Sequence, residues 1–353
     1  MRKRFGIGTQ LTVKIIHTSN GLSRIIEINL NGKTLLTPAY FPSISSYGIK
    51  LPLSYLVYLL ANYSYRHLLV SAYDIWHEKT KESNLMSSIE RYNQTVRKKN
   101  DGFLFLDSGN YESFWYQNSN WDFNSYKEVI CSTDFDFYSS YDVIPKKEEL
   151  DEERLTTQTF SRIIQSSALS NKGQLMSLLH GRSPEHLLNI LKKFLDSYPD
   201  LCTIIGIPER DCGNGILERA QTVIEIRKLL DRYDERYILH LLGCGDPLST
   251  LLYAYCGADT FDSLDWYEHA FDPKTLMLRD LAHFELFNCK CKACNFLEER
   301  SKVKKVIAFD KYVIHNLFNY QDHMTNIQSS IRNDRLFDVV RTYFGNDIQN
   351  KLK

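Results

Sequence analysis

The sequence predicts an α/β fold closed as a (β/α)8 TIM barrel. Three observations predict it. Short apolar runs of strand length recur along most of the 353 residues. Helical periodicities fall between several of them, and polar or glycine residues follow the runs at one end. Alternation repeated this often requires parallel strands with right-handed crossovers, and roughly eight such units close into a barrel. An open doubly wound sheet is the alternative. No glycine-rich phosphate fingerprint follows the first strand, which weighs against it.

The elements follow in order. Residues 11–16 and 25–30 alternate, and Asn31-Gly32 supplies a tight hairpin turn. Thr37-Pro38-Ala39-Tyr40-Phe41-Pro42 reads as a short strand into a loop. Strand-length runs then occupy 67–70, 102–106, 135–141, 175–179, 203–207, 237–242 and 260–264. Residues 184–198 form a helix capped by Ser183, with Leu187, Leu188, Ile190, Leu191 and Leu195 on one stripe. Residues 215–233 repeat the pattern with Leu217, Val223, Ile226, Leu229 and Leu230. The charged run 145–154 reads as a solvated loop or helix start. We divide the chain into a barrel with an N-terminal hairpin (1–280), a metal-binding segment (281–320) and a C-terminal helical segment packed back on the barrel (321–353).

Composition excludes several classes. Lys+Arg and Asp+Glu are both 43, so net charge alone announces no nucleic-acid partner. No apolar run reaches the length of a membrane span. The basic start Met1-Arg2-Lys3-Arg4 has no apolar segment behind it and is not read as a secretory signal.

Of eight cysteines, three sit in Cys289-Lys290-Cys291-Lys292-Ala293-Cys294. Thiolates at that spacing converge on one tetrahedral ion, usually zinc, and the set is closed by a histidine. His315 lies at a suitable distance downstream, with His323 and His283 as fallbacks. Four protein ligands leave no position for water, so the Zn2+ would be structural. The other five cysteines are scattered rather than arranged as a disulfide framework, which points to a reducing, cytoplasmic setting.

A parallel barrel places chemistry at the C-terminal ends of its strands. Those ends carry Asp107-Ser108-Gly109, Asp142, His180-Gly181, Gly206, Leu242-Gly243 and Asp262. Paired carboxylates there can divide the work of nucleophile and acid/base. An Asp at a strand end is also a common helix cap.

Taken together, these segments resemble the tRNA-guanine transglycosylase family. Asp107-Ser108-Gly109-Asn110-Tyr111 is similar to its Asp-Ser-Gly-Gly-Phe/Tyr motif, and His240-Leu241-Leu242-Gly243-Cys244-Gly245-Asp246-Pro247 to its His-Leu-Leu-Gly-x-Gly-x-Pro segment. Gly257-Ala258-Asp259-Thr260-Phe261-Asp262-Ser263 resembles the stretch carrying the nucleophile. The three clustered cysteines with His315-Asn316-Leu317 resemble its zinc site, and residues 37–42 its opening segment. The motifs run collinearly from about Thr37 to Phe344.

The resemblance implies exchange of a guanine in nucleic acid for a 7-deazaguanine. It implies Asp262 as nucleophile and Asp107 as general acid/base, with Asp265 as a rival for the first role. Asp142 would accept from the base's N1–H and amino group. His180 and the backbone around Gly206 and Gly243 would read its other edge, and Tyr111 would stack on the ring. Ser108, Gly181 and Leu242 complete the expected base pocket. The family's zinc subdomain often helps form a homodimer, and partner proteins are a further expectation.

Four departures stand out. The tRNA-acting members carry arginines after the nucleophile, whereas Leu264-Asp265-Trp266-Tyr267-Glu268-His269-Ala270 has none. Asn110 replaces a glycine, His180 stands where a glutamine is usual, and a Gly-Gly-Leu segment is reduced to Gly206-Ile207-Pro208. These favour DNA as the substrate, with tRNA the close alternative; a non-catalytic partner subunit is a further alternative, against which the presence of both Asp107 and Asp262 weighs. The basic residues Lys290, Lys292, Arg300, Lys302, Lys304 and Lys305 are the expected backbone-binding patch.

Overall fold

The computed structural model describes residues 11–19, 21–63, 65–79, 85–99, 102–142, 144, 151–169, 173–287, 289–301 and 308–352. Strands β1 (Leu11–Thr18), β2 (Arg24–Leu30) and β3 (Lys33–Leu36) form an antiparallel sheet. Asn31 and Gly32 both have positive φ, 53° and 80°, as the turn between β2 and β3 requires.

Eight parallel strands then close on themselves. They are β4 (Ala39–Ile44), β5 (His67–Ser71), β6 (Phe103–Asp107), β7 (Phe137–Ser139), β8 (Gln174–Leu178), β9 (Ile204–Pro208), β10 (Ile238–Leu242) and β11 (Thr260–Ser263). The last seals against the first, with Asp262 beside Phe41. The (β/α)8 expectation holds, with one correction. The short strand read at 37–42 is present but runs two residues further: Ala39–Ile44 is the first stave of the barrel. Pro42 hid this in the sequence; it lies near the end of the ladder, opposite Ser263, where a missing N–H costs little.

The two long helices read from periodicity are present. Ser183 caps Pro184–Ser197 by accepting the His186 N–H at 3.1 Å. Gly215 precedes Ile216–Tyr233. Their apolar stripes bury against the outside of the strands.

Inside, the barrel is packed rather than hollow. Phe41, Leu69, Phe103, Phe105, Phe137, Met176, Ile204 and Ile238 form one buried cluster with Ile26, Ile28, Leu30 and Leu35. The antiparallel sheet therefore stoppers the end at which the strands begin. Buried ions fasten it there. Arg24 donates twice to Asp259, at 3.0 Å each, and Lys33 pairs with Asp136.

After the barrel, β12 (Ala270–Asp272) and β13 (Met277–Arg279) make a short hairpin. The cysteine segment leads into helix Lys292–Ser301, and a 25-residue helix, Ala308–Arg332, follows. Its buried residues Val313, Leu317, Tyr320, Met324, Ile327 and Ile331 recur at spacings of three and four, one stripe of an amphipathic helix. Tyr320 stacks on Tyr40 of β4, with ring centroids 4.3 Å apart. The helix runs unbroken through residue 320. Among the described residues no helix is long and apolar enough to cross a membrane.

Candidate active site

Strand alternation explains which side chains meet above the core. On β6, Phe103 and Phe105 face the barrel axis, so Asp107 does too. The same parity continues from Phe41 to Ser43, from Leu69 to Ser71, from Phe137 to Ser139 and from Met176 to His180. It also puts His240 and Leu242, and Thr260 and Asp262, on the inner side. The apolar floor thus passes into a polar ceiling at the C-terminal ends of the strands.

That ceiling borders a cavity of about 380 Å3, within the range of small-molecule sites. Its lining includes Asp107, Ser108, Tyr111, Asp142, His180, Leu242, Gly243 and Asp262. Gly181 and Gly206 are outside the lining. A Cβ on Gly206 would sit 2.5 Å from the Met176 sulfur, so this glycine makes room for the core below. A Cβ on Gly181 would meet Leu187 at 2.6 Å, at the start of the following helix. Leu178, Pro208, Glu209 and Arg210 contribute to that wall of the cavity.

Asp262 is held by donors. Ser43 Oγ donates to Oδ2 at 2.6 Å; His240 Nε2 (3.0 Å) and the Gly243 N–H (3.3 Å) donate to Oδ1. Thr260 Oγ1 lies 2.9 Å from His240 Nδ1, so its hydroxyl fixes the tautomer that keeps the proton on Nε2. Asp265 also lines the cavity, but from the short helix Asp265–Glu268 beyond the strand, where it faces His269 at 3.4 Å.

Asp107 has a different environment. Burial, reinforced by the negative charges of Asp142, Glu112 and Asp262, pushes its carboxyl up to about 8. Ser139 Oγ donates to it at 3.1 Å. Its chain turns sharply at Gly109, where φ is 76° and a Cβ would lie 2.4 Å from the Tyr73 backbone; only glycine fits.

Asp142 lies in a dense network. Ser108 Oγ (2.6 Å) and Asn110 Nδ2 (2.9 Å) donate to Oδ1, and His180 Nε2 donates to Oδ2 at 2.9 Å. The departure Asn110 thus supplies a donor that a glycine could not. His180 Nδ1 donates to Asp211 at 3.1 Å. Burial opposes the imidazolium, but its two carboxylate partners outweigh this and raise it to about 9. Both nitrogens are engaged, so His180 as found orients Asp142. Burial likewise opposes the Asp142 carboxylate, but His180 together with the Ser108 and Asn110 hydrogen bonds more than offsets it, leaving Asp142 below its ordinary value.

Several site residues carried no reading in the sequence. Ser43 shares parity with Phe41, a signal visible once the strand is extended two residues. Glu112 is buried under the cavity between the hydroxyls of Ser45 and Ser71, with burial raising its carboxyl. Asp211 sits on the 3-10 turn Glu209–Cys212, for which no periodic signal exists.

The cysteine segment converges as expected. One ligand atom each from Cys289, Cys291, Cys294 and His315 lie within 4.8 Å of one another. His315 Nδ1 is 3.4 Å from the Cys291 sulfur and 3.2 Å from that of Cys294. His315 Nε2 donates to the Phe271 carbonyl at 2.7 Å, which leaves Nδ1 as the ligand. This donor set fits a tetrahedral zinc. The fallbacks lie elsewhere: His323 is buried 3.0 Å from the Pro247 carbonyl, and His283 is exposed. Lys290 and Lys292 are exposed beside the cluster. Lys302, Lys304, Lys305 and the side chain of Arg300 lie outside the described residues.

A closed (β/α)8 barrel with facing aspartates at its mouth and an appended Cys3His cluster defines the class. Comparison gives the family: the model for queuine tRNA-ribosyltransferase matches residues 19–347, and the chain belongs to that family. Over 341 residues, 92% of this chain and 76% of the relative, it is 25% identical to a tRNA-guanine(15) transglycosylase of Nanoarchaeum equitans. Proteins of the same name match over shorter stretches. That of Methanococcus aeolicus is 31% identical over 110 residues, and that of Archaeoglobus fulgidus 28% over 126. These stretches are 29% and 34% of this chain, and only 17% and 25% of those relatives' lengths.

Proposed function

We propose that the chain exchanges a guanine base in nucleic acid for a 7-deazaguanine, through a covalent link to Asp262. One observation carries the reading: Asp262 and Asp107 share a cavity but have opposite environments. Asp262 is held by three donors, whereas Asp107 is pushed up to about 8 and is protonated at neutral pH. Such a split assigns one carboxylate as nucleophile and the other as acid.

The steps balance. As the C1′–N9 bond stretches, positive charge develops at C1′, and an Asp262 oxygen bonds there on the opposite face. The electron pair of the broken bond stays with the guanine, which takes the Asp107 proton. The incoming base returns a proton to Asp107, its N9 attacks C1′, and the bond to Asp262 breaks. Two inversions leave the configuration retained. Asp142, held by His180, Ser108 and Asn110, accepts hydrogen bonds from the base's N1–H and amino group. Tyr111 stacks on the ring. A structural zinc on Cys289, Cys291, Cys294 and His315 would supply rigidity only. The same reading keeps the division near residue 280, the homodimer and the cytoplasmic setting, while the helix Ala308–Arg332 joins the two segments that meet at 320.

The similarity to tRNA-guanine(15) transglycosylases favours tRNA as the nucleic acid. DNA is the second reading, favoured by the segment Leu264–Ala270, which lacks arginine. The test is incorporation of radiolabelled guanine into bulk tRNA, single-stranded DNA and duplex DNA. Label entering tRNA supports the first reading, and label entering DNA alone supports the second. Label in none of them overturns the proposal.

A pH dependence follows from Asp107. The acid must be protonated, so kcat/KM falls as pH rises through about 8. Asp107→Asn lowers the rate by about 10^2- to 10^4-fold and removes that limb. Stability moves the same way: folded Asp107 keeps a proton that the unfolded chain, at 3.8, has lost. Its stabilising share is full below 3.8 and is lost as pH rises through about 8. A pH–rate profile and thermal melts at pH 4 and pH 9 check both effects.

A further inference from the structure

Beside the cavity mouth lies a group of aromatic side chains that the proposed exchange does not use. Trp115 and Tyr116 are each 47% exposed, and Phe114 38%. All three lie on the helix Asn110–Tyr116, which starts at the Asp107 turn. Tyr47 comes from the loop after β4 and stacks on Trp115, with centroids 5.3 Å apart and planes 12° from parallel. Its edge contacts reach Tyr111 at 5.4 Å and Tyr116 at 6.0 Å. The group is held in place: Tyr116 donates to the Ser46 carbonyl, and the Ser46 N–H donates to Asp74, both at 2.8 Å.

Large rings held open to water on rigid backbone are costly unless something covers them. Two features say what does. First, the patch is continuous with the cavity, because Tyr47 and Tyr111 belong to both. Second, charge divides the mouth. Asp265 and Glu268 line one part, whereas Arg210 lines another, its side chain half exposed and 3.7 Å from the Asp211 carboxylate. A phosphodiester is repelled from the first and drawn to the second, on the side where its charge is felt at Tyr111.

We infer that Trp115, with Tyr47 and Tyr116, is a stacking platform for the nucleobases next to the target base, with Arg210 taking the adjoining phosphate. The inference rests on the proposed exchange, since it takes the cavity as the seat of a base on a strand. A base drawn into the cavity leaves its neighbours unstacked, and an aromatic face recovers that stacking whatever their sequence. The partner is therefore a single strand or loop, and the platform reads neither sugar nor base identity.

The test measures dissociation constants by fluorescence anisotropy on an Asp262→Asn background, which prevents turnover. The probes are seven-nucleotide ribo- and deoxyribo-oligomers with one central guanine. Trp115→Ala should weaken binding roughly tenfold or more, and Trp115→Phe should retain most of it. Abasic sites flanking the guanine should weaken the native side chain's binding equally, and the two changes should not add. Full additivity, an unchanged constant in Trp115→Ala, or no binding of either oligomer overturns the platform. Equal losses for both sugars support a shared stacking role, whereas a loss confined to one sugar overturns the claim that the platform ignores it. Melting curves confirm that the exposed substitution leaves the fold intact. The radiolabel assay on the unmodified protein separates the hypotheses: exchange with an idle Trp115 sinks only the platform, and the converse sinks only the reaction.

Discussion

Asp262→Asn abolishes base exchange, lowering turnover by about 10^4-fold or more, while the folded variant still binds oligonucleotide. The reason is chemical. An amide retains the hydrogen bonds to Ser43 and the Gly243 N–H but cannot hold C1′ in a stable ester. Denaturing the unmodified protein during turnover should trap a nucleic-acid adduct visible as a mass shift, absent in the variant. Asp265→Asn should stay within roughly tenfold of the native rate, because that residue leaves the barrel parity and faces His269. An active Asp262→Asn beside a dead Asp265→Asn would reverse the assignment.

Cys291→Ala removes stoichiometric zinc and destabilises the protein by several kcal/mol, since a structural site contributes folding energy directly. Cys291 is central to the cluster: its sulfur faces His315 Nδ1 at 3.4 Å and receives the Asn319 amide at 3.5 Å. His315 and Asn319 belong to the helix Ala308–Arg332, whose Tyr320 stacks on Tyr40. Loosening the metal end therefore loosens a rod fastened to β4. Metal content by mass spectrometry, with melts before and after chelator, checks this. Unchanged content and melting would remove the zinc from the account.

The barrel was legible because buried parallel strands leave apolar runs of fixed length, and helices between them leave a 3.6-residue stripe. The carboxylates were legible as polar residues at the ends of those runs, and Asp107 lies in step with the core residues Phe103 and Phe105 of its strand. What escaped was set by neighbours in space. Ser43 was lost with the end of a strand that Pro42 disguised. Asp211 reaches His180 from a turn 31 residues away, and nothing local marks it. His180 was read as facing the base; it lines the cavity, and its ring nitrogens meet Asp142 and Asp211, partners that the sequence does not mark. The backbone around Gly206 was read as facing the base; that the missing side chain makes room for Met176 is a packing fact the sequence does not show.

The antiparallel sheet under the barrel has a kinetic consequence. Ile26, Ile28, Leu30 and Leu35 fill the lower end, so among the described residues the cavity opens at the C-terminal ends of the strands. An outgoing base and its replacement must pass through that opening in opposite directions and occupy the same seat in turn. The first must therefore vacate before the second arrives. On the proposed covalent route, the sugar in that interval would wait on Asp262 with the seat empty, open to the returning base, to the newcomer or to water. Which of the three arrives first decides between reversal, replacement and a missing base.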